Sequence, residues 1–291
     1  MTTALGIDIG GTKVSAAYII GEQIVSTARR DYNRETIVEQ IKELRDELVP
    51  ENRPIARVGI SCAGLVDVAT AVVKFAGNLE MDNFALGQEV SAALGVPVTL
   101  DNDARCATWG EFLSAKGELG ENVAGLILGT GVGGGLILNS RLLQGKNSFA
   151  GEIGHLPVSN SLKLCACGLR DCLESVAGGR AFEEDFFASH GEALTAVEIS
   201  SLADGGDPRA LAAFERVGTA VGEVIAQLDT ALDLDAVMIG GGFGQSFRHW
   251  EQAAQTRYLE RTVGASRRRP VRILAARTGN SAQLLGAVLG R

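Results

Sequence analysis

Two glycine-rich stretches, each set between short apolar runs, constrain most strongly what this chain can fold into. Residues 5–9 are strand-like, Gly10 and Gly11 turn the chain, and residues 14–20 are strand-like again. Two strands joined so tightly pair antiparallel. The pattern returns at residues 123–128 and 135–138, which flank Gly129-Thr130-Gly131-Val132-Gly133-Gly134-Gly135. After each hairpin, helical and strand patterns alternate. Apolar residues at Ile37, Ile41, Leu44 and Leu48 predict a helix over 35–48, and those at Leu211, Phe214, Val217, Val221, Val224 and Leu228 predict one over 208–232. Further helices are expected over 86–94, 101–113, 248–261 and 282–289, and strands over 55–61, 72–75, 96–100, 236–239 and 271–275. The shared element order is an internal duplication. It predicts two α/β lobes with a cleft between them: residues 1–115, and residues 116–279, with a helix over 280–291 returning to the first lobe. No Pro/Gly/Ser linker separates them, so a hinge is expected near 105–120.

Composition narrows the class. A chain of 291 residues suits two domains, and its net charge of −8 opposes non-specific nucleic-acid binding. Asp8 interrupts the only apolar run near the start, so no signal peptide is expected. The longest uncharged apolar window, residues 123–139, holds six glycines and reads as two strands and a turn, so no membrane partner is expected. Three of the five cysteines fall between 165 and 172, a metal-site spacing rather than a disulfide framework. A reducing, cytoplasmic location follows.

Four motifs carry chemistry. In Asp8-Ile9-Gly10-Gly11-Thr12-Lys13 the glycines let backbone N–H groups approach a phosphate, and Asp8 at a strand end could hold a hydrated Mg²⁺. Thr12 and Lys13 stand in the wrong order for a P-loop. The second glycine stretch contains a formal G-x-G-x-x-G at 129, 131 and 134, but the residues after it are strand-like. A nicotinamide cofactor is therefore rejected in favour of a phosphate-cradling hairpin with the Thr130 hydroxyl as donor. Asp101-Asn102-Asp103 ends a strand and opens a helix, where side chains face a ligand cleft; helix capping accounts for one of the three. His155 with Cys165, Cys167 and Cys172 makes a structural Zn²⁺ set. Glu152 and Glu174 flank it, suited to hydrogen bonding a polyhydroxylated ligand. Cys62 and Cys106 are read as buried. Arg267-Arg268-Arg269 is read as a solvated edge, and His190 and His249 have no companions that suggest catalysis.

Together these motifs resemble the ROK family (repressors, open reading frames, sugar kinases). Residues 8–13 resemble its first phosphate motif and 128–135 its second. Gly151-Glu152-Ile153-Gly154-His155 is similar to its sugar-binding segment, residues 165–174 to its zinc loop C-x-C-G-x-x-G-C-x-E, and Gly240-Gly241-Gly242 to its nucleotide-base motif. The resemblance implies a two-lobed α/β actin/hexokinase-like (ribonuclease H-like) fold with a zinc-binding loop, and ATP-dependent transfer to a sugar 6-hydroxyl. Asp103 matches the family's catalytic base. Asn102, Asp103, Glu152, His155 and Glu174 match sugar ligands, and Gly64 and Asn78 lie in segments that resemble further sugar contacts. Nucleotide contacts fall on Asp8, Gly10, Gly11, Thr12, Lys13, Thr130, Gly131, Gly133, Gly240, Gly241 and Gly242. Cofactors are ATP with Mg²⁺, held through water by Asp8, and structural Zn²⁺; a homodimer is implied. The zinc loop departs from the family at Asp171, where glycine is usual, and Asp tolerates a left-handed backbone.

The family's repressors carry a DNA-binding domain ahead of the first motif. Only seven residues precede Asp8, so a kinase is expected over a transcription factor. A non-catalytic sugar sensor would need neither Asp103 nor two phosphate hairpins. Residues 104–112 resemble N-acetylmannosamine kinases, whereas 151–155 fit glucokinases equally well; N-acetylmannosamine is the first choice and glucose the second.

Overall fold

The structure, a computed structural model, describes residues 2–159, 161–279 and 281–289. Asn280, Gly290 and Arg291, which the expected C-terminal helix includes, lie outside the described residues. The chain forms two units: residues 1–116, 141–151 and 280–291, and residues 117–140 and 152–279. Segment 141–151, expected with the second lobe, groups with the first unit because it is fastened there. The buried Arg105 guanidinium donates to the Ser148 carbonyl oxygen, and Ser148 Oγ accepts the Val68 N–H at 3.2 Å.

The first unit contains strands β1 (Thr3–Ile9), β2 (Lys13–Ile20), β3 (Gln23–Asp31), β4 (Arg57–Cys62), β5 (Leu65–Asp67), β6 (Val72–Ala76), β7 (Met81–Phe84) and β8 (Val98–Asn102). Its main sheet runs β3-β2-β1-β4-β8. β1 pairs antiparallel with β2, as the glycine turn requires, and parallel with β4, which pairs parallel with β8. β5, β6 and β7 form a small antiparallel meander. Helix α1 (Ile37–Leu48) buries Ile37, Ile41, Leu44 and Leu48, the predicted face. α2 (Leu86–Leu94) and α3 (Asp103–Ser114) complete the run. α3 takes up the expected hinge segment as far as Ser114, and the chain first passes to the other unit at Lys116 (φ 48°) and Gly117 (φ 88°).

In the second unit β9 (Val123–Leu128) and β10 (Val132–Leu138) form the other hairpin. The two-residue β11 (Arg141–Leu142) follows in the segment that belongs to the first unit. β12 (Ala236–Gly240) and β13 (Arg272–Ala275) extend the second unit's sheet in the order β10-β9-β12-β13, with β9, β12 and β13 parallel. Helices α4 (Glu174–Ala177), α5 (Gly179–His190), α6 (Ala196–Asp204), α7 (Pro208–Leu232) and α8 (Glu251–Arg261) pack around it. α7 starts where Asp207 caps it and Pro208 fills the first turn; Phe214, Val217, Val221, Val224 and Leu228 of its expected stripe are buried with Phe182, Phe186 and Trp250 in the unit's core, whereas Leu211 is exposed. α8 begins later than expected because Phe243–His249 forms a 3-10 turn. Arg268 corrects the reading of 267–269 as a solvated edge: it pairs with buried Asp229 at 2.8 Å and also with Asp233.

α9 (Ser281–Val288) packs on the first unit's sheet and on α3. Its approach to α3 needs bare backbone. A Cβ on Gly286 would stand 1.9 Å from the Cys106 carbonyl oxygen, and one on Gly110 would stand 2.1 Å from that of Ala282.

Candidate active site

In the first unit, parallel register brings Asp8, Ser61 and Asp101 to one level of the sheet, and Ile9, Cys62 and Asn102 to the next. These are the carboxyl ends of β1, β4 and β8, where ligands approach open α/β sheets. The three polar residues at the end of β8 have separate tasks. Asp101, fully buried, is paired with buried Arg105. Asn102 caps α3, its Oδ1 accepting the Arg105 N–H at 3.1 Å, while its Nδ2 donates to the Gly64 carbonyl at 3.1 Å. Capping therefore uses one of the three, as expected.

Asp103 is neither the cap nor a member of the ion pair. It is half-buried at the start of α3, where its Oδ1 accepts the Ala104 N–H at 2.8 Å. Burial raises its pKa from the ordinary carboxylate range, and the N–H groups of Ala104 and Asp103 itself oppose the rise. Asp8 accepts from the Ser61 hydroxyl at 2.7 Å. Burial pushes its pKa up to about 6; the Ser61 bond lowers it and the charge of Asp103 adds to the rise. Two carboxylates thus share this edge.

The Gly10 N–H donates to the Lys13 carbonyl at 3.0 Å, closing the first turn, and Gly11, Thr12 and Lys13 are exposed beyond it. Asn78 Nδ2 lies 3.4 Å from where a Gly11 Cβ would be. The first unit therefore brings together Asp8, Gly11, Gly64, Asn78, Asn102 and Asp103. Cys62 and Cys106 are fully buried, and burial with the charges of Asp103 and Asp8 pushes the Cys62 thiol up, so it is no nucleophile.

In the second unit the hairpin turn is held from several sides. Gly179 and Arg180 N–H groups, at the start of α5, donate to the carbonyls of Gly129 and Thr130 at 2.9 and 3.1 Å. Glu174 Oε2 accepts the Val132 N–H at 2.9 Å. A Cβ on Gly131 would stand 2.3 Å from that same oxygen, so glycine is what lets the carboxylate reach the turn. Thr130 remains exposed. Gly241, with φ 86°, passes close under the Leu128 carbonyl, where a Cβ would sit 2.2 Å away.

A pocket of about 850 Å³ opens here, lined by Thr130, Gly242 and Phe243 and, on its other wall, by Arg180, Ser200 and Arg248. Sequence reasoning missed all three: Arg180 and Ser200 because α5 and α6 were not read as helices, and Arg248 because it was read only as the start of the helix over 248–261. The signal was present: Thr195 and Glu198 form a capping box, with Thr195 N–H donating to Glu198 at 2.8 Å. His249 supports one of these lining residues, its Nε2 3.0 Å from Ser200 Oγ and its ring stacked on Phe214.

His155, Cys165, Cys167 and Cys172 each offer a ligand atom within 4.8 Å of the others. Cys167 Sγ and Cys172 Sγ are 3.7 Å apart, and Cys165 Sγ is 3.8 Å from His155 Nδ1. A tetrahedron with Zn–S bonds of about 2.3 Å has sulfur–sulfur edges of about 3.8 Å, so the donor set fits Zn²⁺ in type and spacing. Asp171 takes φ 64°, the left-handed conformation the loop needs at that point. Nδ1 faces the sulfurs, and Nε2 lies 3.9 Å from Glu152 Oε2. Glu174 Oε1 is 3.7 Å from Cys165 Sγ. The second unit thus brings together Glu152, His155, Glu174 and the hairpin turn. Among the described residues no helix is long and apolar enough to cross a membrane.

Comparison with known proteins gives a consistent picture. The ROK family profile matches residues 4–289. A glucokinase of Streptomyces coelicolor is 32% identical, covering 99% of this chain and 96% of its own length. An N-acetylmannosamine kinase of Vibrio vulnificus is 34% identical, covering 82% of this chain and 83% of its own. Among solved structures, a ROK family glucokinase from Streptomyces griseus in complex with glucose and AMPPNP superposes with a TM-score of 0.85 at 31% identity, covering 98% of this chain and 97% of that one.

Proposed function

The chain belongs to the ROK family, and on that premise we propose that it transfers the terminal phosphoryl group of ATP to the 6-hydroxyl of a hexose or N-acylhexosamine, with N-acetylmannosamine as first substrate. It is an ATP-dependent sugar kinase. The observation that carries the finer reading is Asp103. Its two neighbours are spent on an ion pair and a helix cap, while its own carboxyl stands half-buried at the sheet's carboxyl edge with a raised pKa.

Asp103 accepts the proton of the attacking hydroxyl, a task that needs position more than unusual basicity in phosphoryl transfer. Asn102, held by Gly64 and α3, and Asn78 and Gly64 themselves contribute hydroxyl contacts, as do Glu152 and Glu174. His155 turns Nδ1 to the cysteines and keeps Nε2 for a sugar hydroxyl, so a metal fixes its tautomer. Bound Zn²⁺ supplies structural pinning of the loop. The exposed backbone of residues 10–13, the Thr130 hydroxyl and Gly131 and Gly133 meet the phosphates, and the pocket beside Gly240, Gly241 and Gly242 takes the nucleoside. Asp8 orients a hydrated Mg²⁺. The reading includes a cytoplasmic homodimer.

Glucose is the second reading, favoured by the nearly complete alignment with the Streptomyces coelicolor glucokinase. ADP release with a sugar panel led by N-acetylmannosamine and glucose tests both. A kcat/KM at least tenfold higher for N-acetylmannosamine supports the first, and the reverse order supports the second. No turnover with any sugar by folded, zinc-loaded protein overturns the kinase reading.

A further inference from the structure

The most unusual group near Asp103 is a fully buried arginine two residues away. Arg105 is 2% exposed and Asp101 is 0% exposed. The Arg105 guanidinium donates through Nε to Asp101 Oδ1 at 2.7 Å and through Nη2 to the same oxygen, while Nη1 donates to the Ser148 carbonyl. That oxygen of Asp101 also accepts the Asn102 N–H at 2.6 Å. Ser148 is itself held in a left-handed conformation, φ 63°, and its hydroxyl accepts from Val68. One cation therefore ties together the end of β8, the first turn of α3 and the returning segment 141–151.

A buried ion pair is a poor route to stability, because desolvating both charges offsets most of their attraction. A buried guanidinium is, however, a rigid fork with fixed directions, suited to setting geometry. Residues two apart on a helix point to different sides, so Arg105 is anchored away from Asp103 while sharing its turn.

We propose that Arg105 is a positioning residue for the phosphoryl transfer. Its bonds to Asp101 and Ser148 hold the first turn of α3 in the one orientation that aims the Asp103 carboxylate at the sugar hydroxyl. Arg105 touches no substrate itself. The inference rests on Asp103 being the base.

Three variants test it with ATP and, in turn, N-acetylmannosamine and glucose: R105M, the charge-free pair D101L/R105M, and the same pair with D103N added. R105M alone leaves the buried Asp101 carboxylate without its arginine and is expected to lose stability as well as rate. The pair removes both charges, so its melting temperature should return to within a few degrees of the wild type. Its kcat should still fall about 10- to 100-fold, the scale of a misplacement near 1 Å, with KM for ATP unchanged. Adding D103N should bring no further loss beyond that of D103N alone, since groups acting through one another are non-additive. A D101L/R105M protein with wild-type kcat overturns the inference, as does a D103N background in which the pair still costs its full factor. If D103N itself keeps wild-type turnover, the base assignment fails instead, and the inference falls with it for that separate reason.

Discussion

Substituting Gly131 by alanine probes the link between the cysteine-rich segment and the second glycine hairpin. The new Cβ would lie 2.3 Å from Glu174 Oε2, about 1 Å inside ordinary contact, and its neighbour is a carboxylate already committed to the Val132 N–H at 2.9 Å. Moving the carboxylate by that distance opens the hydrogen bond beyond reach. A hydrogen bond to a charged group contributes about 1.5–3 kcal/mol. At about 1.4 kcal/mol per decade, and with Glu174 in its proposed role as a sugar ligand, loss of that bond lowers kcat/KM by about 10- to 100-fold. Initial rates with ATP varied at fixed sugar, and sugar varied at fixed ATP, should show the fall for both substrates. Thermal melting should drop by several degrees. Wild-type kcat/KM for both substrates, with an unchanged melting temperature, would refute the reasoning.

Other residues give sharper single tests. Asp103→Asn should retain sugar binding by calorimetry while turnover falls about 10²- to 10⁴-fold, the usual share of a general base; retained turnover removes it from that role. Cys167→Ser should lose bound zinc by elemental analysis and weaken sugar affinity together, and unchanged metal content contradicts the ligand assignment. For Asp8 the sign of the pH effect is set by its pKa being raised to about 6 from the usual 3.8 in the ligand-free protein. The folded state holds its proton more tightly than the unfolded chain, so this group favours folding fully below about pH 4 and loses that contribution as pH rises through 6. Asp8→Asn should therefore melt like the wild type at pH 4 and increasingly above it up to pH 7, a gap of up to about 3 kcal/mol. A gap independent of pH would show that Asp8 is not the group responsible.

Much of this was legible in the sequence where local chemistry and tertiary packing agree. α7 runs from Pro208 to Leu232 as its cap, proline and apolar spacing dictate, and both glycine hairpins fold where the turns demand. The cluster of His155 with Cys165, Cys167 and Cys172 was legible because three cysteines within eight residues have few uses besides holding a metal. What escaped did so for physical reasons. β3 (Gln23–Asp31) is an edge strand whose residues alternate between exposed and half-buried, so it lacks an apolar signature. α5 and α6 bury only a few residues each, and with them went Arg180 and Ser200 of the pocket. The pairing of Asp101 with Arg105 carries no sequence signature, because the burial of both comes from tertiary packing that includes the long-range bond to Ser148.

The central claim is transfer of a phosphoryl group to one particular oxygen. Phosphorus and carbon NMR of the product formed from ATP with N-acetylmannosamine or glucose reads that directly. The account predicts a monophosphate ester coupled to C6, formed in step with ADP. A phosphate on another carbon, or ADP released with no sugar ester, would contradict it.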